Sequence, residues 1–348
     1  MADISTIKPA APGDEDFTTL QAWEDWADDD PEGLGHAGYH AECYGGGDLG
    51  TLILADWSDA PDATNYPRIY AAAGEKHEGS YDADKARIVL DAGYTILFQA
   101  NMNYVRIESI QIQGATDANG FTGISVVDSI NVIIDSVLFD IDFTAWVGPG
   151  HADDGAIGVT LFYNPGDFFV RNCIFFMRAG STSIGLHCML RINALDIGGV
   201  SRVYLYNNSF YCKSPQASST GIVFASPWGN ITIKNTITSN FSFNYLTLGS
   251  WSKTTSNNIS SDGTLGGHTV EAASTTFTDP SNFDLTLKAG SAAINGGADL
   301  SGEGFAVDIL GEARPVGPSW DIGAFESILG LVSAATRKAS RLLALLGI

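Results

Sequence analysis

A short strand signature recurs six times along the chain, and no other feature limits so strongly what the chain can fold into. It reads apolar, spacer, Ser or Asn, then a second short strand: Ile107-Glu-Ser109-Ile-Gln-Ile112, Ile134-Asp-Ser136-Val-Leu-Phe139, Val170-Arg-Asn172-Cys-Ile-Phe175, Leu205-Tyr-Asn207-Asn-Ser-Phe210, Ile233-Lys-Asn235-Thr-Ile-Thr238 and a weaker Thr255-Ser-Asn257-Asn-Ile-Ser260. The Ser/Asn positions lie 27, 36, 35, 28 and 22 residues apart, which is one coil of a parallel β-solenoid with loops of varying size. Asn tolerates left-handed backbone, and its amide can hydrogen-bond the equivalent Asn one coil away. A stack of Asn172, Asn207 and Asn235 is therefore expected to satisfy a buried corner. Sandwich turns recur at about 8–12 residues with hairpin signals, and nothing here demands hairpins. The expectation is an all-β parallel β-helix of about eight coils between roughly Arg68 and Leu287, a rod on the order of 40 Å long.

A solenoid must protect its ends, because an open coil exposes unpaired backbone and an apolar cross-section. Leu20, Trp23 and Trp26 recur at helical spacing behind Thr18 and Thr19, which predicts a capping helix over the first coil. The expected organisation is an N-terminal segment and cap over 1–67, the β-helix over 68–290, a C-terminal cap over 291–326 and a separate helix over 327–348.

The closing stretch, Asp284-Leu-Thr-Leu-Lys-Ala-Gly-Ser-Ala-Ala-Ile-Asn-Gly-Gly297 followed by Asp308-Ile-Leu-Gly-Glu-Ala-Arg-Pro315 and Asp321-Ile-Gly-Ala-Phe-Glu326, resembles the terminal coil and cap of right-handed parallel β-helix proteins of the pectate-lyase-like superfamily. Asp62-Ala-Thr-Asn-Tyr-Pro-Arg-Ile69 and Ala73-Gly-Glu-Lys-His-Glu-Gly79 have the same look, so the resemblance covers residues 16 to 326. It implies a right-handed helix of the kind found in phage virion and bacterial surface proteins. It is specific for fold and weak for activity, since that architecture serves lyases, hydrolases, adhesins and virion components.

Charge excludes further classes. With 18 Lys and Arg against 40 Asp and Glu the chain carries a net charge of −22, which repels a phosphate backbone and an anionic leaflet; neither nucleic acid nor charge-driven membrane binding is expected of the body. Met1 to Phe17 lacks the basic and apolar regions of a secretion signal, so synthesis in a cytosol is expected. Cys43, Cys173, Cys188 and Cys212 show no paired or zinc-like spacing, and reduced, buried thiols are the default over a disulfide.

The strongest candidate for chemistry is an acidic cluster, Asp140, Asp142, His151, Asp153 and Asp154, in the long insertion between the second and third signature coils. Loops on a rigid β-helix form clefts, and paired carboxylates there could act as acid and base on a glycosidic bond or hold Ca²⁺, the one cation the sequence suggests. A solvated acidic loop explains the same residues. Polygalacturonases, β-helix hydrolases, use Asn-x-Asp, Asp-Asp, Gly-His-Gly and Arg-Ile-Lys; this chain offers Asp153-Asp154, His187 and Arg191-Ile-Asn193, with no upstream Asn-x-Asp and only four residues from His187 to Arg191. Arg171 and Arg178 are eligible as lyase bases and equally as outward strand residues. Gly45-Gly-Gly47 reads as a turn, His36, His40 and His77 lack ligand spacing, and Trp146, Trp228 and Trp251 could stack on sugars or anchor loops.

After Glu326 the composition changes. Ser327 to Ile348 has no acidic residue and three basic ones, Arg337, Lys338 and Arg341, leaving the body at −25. Its apolar residues, among them Leu331, Ala335, Leu342, Leu343 and Leu346, recur at 3 and 4, the spacing of an amphipathic helix. It is expected to cap the last coil, to associate with other copies, to dock on another virion or surface protein or, least of all, to bind a membrane interface. These features together predict a structural protein without a cofactor: a phage virion component, decoration or fibre-like, displaying a rod and exposing loops to solvent or to a host glycan. The alternatives are a tailspike-like polysaccharide hydrolase or lyase and, third, a bacterial adhesin.

Overall fold

Each repeat contributes three short strands, and like strands of successive repeats pair in parallel into three long sheets. The computed structural model describes residues 3–9, 16–28, 38–55, 61–90, 96–98, 102–115, 122–127, 129–144, 155–161, 166–180, 187–194, 202–225, 229–248, 251–265 and 269–328. The first sheet has nine strands, Asp3–Ile7, Tyr39–Cys43, Arg68–Ala71, Arg106–Glu108, Val132–Asp135, Asp167–Arg171, Arg202–Tyr206, Asn230–Lys234 and Ser252–Ser256. The second has eight: Arg87–Leu90, Gln111–Ala115, Leu138–Asp142, Ile174–Ala179, Ser209–Ser214, Ile237–Ser239, Ile259–Ser260 and Thr269–Val270. The third has seven: Ile53–Leu54, Ile96–Phe98, Thr122–Val127, Gly155–Leu161, His187–Ala194, Ser219–Phe224 and Phe243–Thr247. At one strand spacing of about 4.8 Å per coil the rod is about 40 Å long.

Pairing in register stacks identical positions, so the core is built from rows. Ile69, Ile107, Ile134, Val170, Leu205 and Ile233 form one inward row of the first sheet. In the second sheet Phe139, Phe175 and Phe210 lie face to face, with centroids 4.8 and 4.1 Å apart and planes within 4° and 2°. Parallel in-register pairing leaves these rings no other arrangement.

All six signature residues occupy the corner between the first and second sheets in left-handed backbone: φ is 61° at Ser109, 57° at Ser136, 53° at Asn172, 54° at Asn207, 52° at Asn235 and 53° at Asn257. Their side chains, however, do not bond one another. The following residue points into the core, so the corner residue itself faces the flank. Asn172 donates to the Val307 carbonyl (3.1 Å), Asn235 exchanges two bonds of 2.8 Å with the backbone of Ala298, and Asn257 donates to Gly296. Coil-to-coil amide bonding belongs to the next position: Asn208 Oδ1 accepts the Cys173 N–H (2.9 Å) and its Nδ2 donates to the Val170 carbonyl (2.8 Å), and Asn258 does the same to Thr236 and Ile233. Asn207, fully buried, has no side-chain hydrogen-bond partner among the described residues.

The helix Leu20–Asp28 caps the first coil as expected, burying Leu20, Trp23 and Ala27, with the Thr19 hydroxyl accepting the Ala22 N–H. Trp26 packs edge-on against Tyr39, 5.0 Å between centroids. The C-terminal segment behaves differently from a terminal cap. From Ala273 to Glu326 it lies along the rod, its Phe277, Leu285, Ile309, Ile322, Ala324 and Phe325 packed on Leu138, Ile174, Phe176, Tyr211, Ile237 and Ile259. The reason is the outward row of the second sheet: it is apolar on both faces and needs a cover. Residues 329–348, with Leu331, Ala335, Leu342, Leu343 and Leu346, lie outside the described residues.

Candidate functional site

Strand alternation sends Phe139 and Ile141 into the core and Asp140 and Asp142 outward on one row. On the neighbouring strand a register shift opposite Ile141 and Asp142 pairs Asp142 with Ala179 and leaves Arg178 as the extra residue, free to swing back over Asp140. Arg178 Nε donates to Asp140 Oδ1 (2.7 Å) and Nη2 to Oδ2, a two-point clasp joined by Gln113 Nε2 at 3.5 Å. Hydrogen bonding to Asp140 raises the Arg178 guanidinium above its ordinary range. Asp140 is 1% exposed. The guanidinium fork occupies both carboxylate oxygens of Asp140, so neither faces open space where a substrate could sit. Asp142 accepts the N–H (2.8 Å) and the hydroxyl of Thr144, closing its own turn. Asp142 and Arg178 border a depression of about 240 Å³ with Val89, Gln113 and Ala115. His151, Asp153 and Asp154 lie outside the described residues, as do His36, Trp146 and Trp228.

The other singled-out residues are engaged in packing. Arg171 pairs with Asp135 (2.7 Å) and lies 5.0 Å over the Phe305 ring. His40 stacks on Tyr66, and burial, with Arg68 nearby, lowers its pKa. His77, buried under the flank, has Nε2 2.8 Å from the Ser136 carbonyl and accepts the Gly79 N–H at Nδ1; burial pushes its pKa down to about 4. Trp251 packs edge-on against Phe224. The four cysteines are buried thiols; burial pushes the pKa of Cys43 and Cys173 far up and that of Cys212 to about 12. The outer face of the first sheet offers partly exposed rings: Arg106 lies 3.9 Å over Tyr66, Arg68 4.2 Å over Tyr70, and Phe169 stacks on Tyr204 at 4.7 Å.

A buried polar node escaped the reading of the sequence. Arg314 Nη1 donates to Glu326 Oε2 (2.9 Å) and Nη2 to the Gly323 carbonyl (2.9 Å), with both charged side chains fully buried. Asp308 accepts the N–H groups of Leu310, Glu312 and Glu326, and Asp321 those of Asn295 and Ser327. Burial raises the pKa of Asp321 and Glu326 and lowers that of Arg314. Gly323 N–H then donates to the Asn235 carbonyl, fastening the node to the corner. The signal was present in the acids and Arg of Asp308 to Glu326, but only contacts across the fold assign it a role.

Among the described residues no cluster of His, Cys, Asp and Glu is placed to hold a metal, and no helix is long and apolar enough to cross a membrane. The stacked sheets and laced flank define a parallel β-helix protein. Compared with known proteins, the chain matches no family model, no curated protein and no solved structure.

Proposed function

We propose that the chain is a structural, interacting rod, a phage virion component of decoration or fibre type related to the pectate-lyase-like β-helix proteins, and not a polysaccharide-cleaving enzyme. One observation carries this reading: residues 291–326 are spent lacing the coils together along the flank, with bonds to Asn172, Ser209, Asn235 and Asn257 spanning successive coils. Such lacing resists unwinding from the end, as a displayed rod requires. The clasped Asp140 adds support, since it removes one carboxylate from the best candidate acid–base pair. Docking runs through the amphipathic segment 327–348, whose Ile328 is exposed and which contrasts in charge with a body at −25. The partner is another structural protein or another copy, and the partly exposed Tyr66, Tyr70 and Tyr204 rings offer stacking faces to a host glycan.

The test is Leu342→Glu with Leu346→Glu in the full chain. Sedimentation should show association of the native protein lost in the variant, with the β circular-dichroism spectrum and melting temperature kept. A native protein that is strictly monomeric, and a variant that melts several degrees lower, would make the segment an intramolecular cap and sink the assembly reading.

A further inference from the structure

The two ends of the rod are closed in different ways. Helix Leu20–Asp28 covers the first coil, whereas at the far end the strand Ser252–Ser256 pairs with Asn230–Lys234 on one side and with no described strand on the other. A parallel edge that no described strand covers is a ready template for a second chain.

The inward rows change character where they reach this edge. The row Val132, Phe168, Val203, Ile231 continues in register to Lys253, and the row Ile134, Val170, Leu205, Ile233 continues to Thr255. In the second sheet Phe139, Phe175 and Phe210 give way to Thr238 and Ser260 before the row ends on an exposed Val270. In the third, Ile222 is followed by Tyr245 and Phe224 by Thr247. Polar residues thus enter the inward rows of all three sheets within the last two coils. Lys253 lays its stem across this surface, with Nζ 4.5 Å from the Tyr245 ring centroid and 3.4 Å from the Leu265 carbonyl. Burial lowers its pKa below the ordinary lysine range.

We infer that this polar last coil, with Lys253 at its centre, is a gatekeeper that stops the C-terminal end of the rod from joining the same end of a second copy. Two such ends related by a two-fold axis would align Ser252–Ser256 with its counterpart antiparallel, and would press two Lys253 ammonium groups into one dry seam. Inward-pointing charge on an edge strand is a known means of refusing that pairing. The inference concerns the end of the rod and stands apart from any docking by 327–348.

The test is Lys253→Ile with Thr255→Val in the full chain. Sedimentation equilibrium should show a doubled mass, and electron microscopy rods of doubled length joined at the ends remote from the N-terminal helix. Growth should stop at two copies because the other end is capped. Lys253→Glu, still charged, should keep the native mass. If the double variant lacks the native β spectrum, Lys253→Met decides and should shift the mass toward the dimer. A folded double variant, or a folded Lys253→Met where that decides, with native mass and length overturns the inference. So does doubling that disappears on adding Leu342→Glu with Leu346→Glu, because that association would belong to the C-terminal segment.

Discussion

Replacing Asn208 with Leu should damage the rod more than replacing its neighbour Asn207 with Gly, although Asn207 is the residue in the repeated signature. Asn208 is fully buried and ties two coils together, accepting the Cys173 N–H at 2.9 Å and donating to the Val170 carbonyl at 2.8 Å. Leu keeps the branched outline of Asn with bulkier methyl ends but leaves both backbone groups without the amide in a dry corner. Each stranded group costs about 1–3 kcal/mol, and the added apolar burial returns about 1 kcal/mol. The expected net loss is about 1–5 kcal/mol. Asn207 makes no side-chain hydrogen bond among the described residues, and its left-handed φ of 54° is one that glycine adopts freely. Asn207→Gly should therefore cost within about 1 kcal/mol. Equilibrium guanidinium unfolding followed by circular dichroism reads both variants, with an unchanged m-value as the check on two-state comparison. The reasoning fails if Asn208→Leu costs less than about 1 kcal/mol, or if Asn207→Gly costs as much as Asn208→Leu.

Three further outcomes are expected. His77 is neutral in the fold, with its pKa pushed from 6.5 to about 4, so its contribution is complete above pH 6.5 and is lost as pH falls toward 4. Against His77→Gln, the native protein should lose up to about 3 kcal/mol more over that window, and parallel pH–stability curves would contradict this. Arg314→Met leaves the buried Glu326 without its cation, at a cost of about 3–5 kcal/mol, and should free the flank segment before the coils; hydrogen exchange at Gly323 reads it, and an unchanged rate there would refute it. Finally, reducing-sugar and unsaturated-product assays over acidic and neutral polysaccharides should show no turnover. Activity abolished by Asp153→Asn with Asp154→Asn would promote the hydrolase alternative over the structural reading.

What the residues alone determined is local and periodic. Asn and Ser at Ser109, Ser136, Asn172, Asn207, Asn235 and Asn257 mark left-handed corners because few other residues accept positive φ, and the recurrence of that corner every coil dictates parallel in-register stacking. Leu20, Trp23 and Trp26 announce the cap for the same reason, helical periodicity beside a threonine able to accept the first N–H groups. The candidate site was legible only as composition. Whether Asp140 is an acid, a ligand or a clasp depends on Arg178, which lies 38 residues away and is presented by a one-residue register shift that no local pattern announces. The path of the C-terminal segment was hidden likewise. Residues near in sequence to the last coil could cover its end or run back along the flank, and the choice fell to the flank because the second sheet carries an apolar row outward as well as inward. That row lies in separate strands, and only when the coils stack does it become one surface demanding a partner.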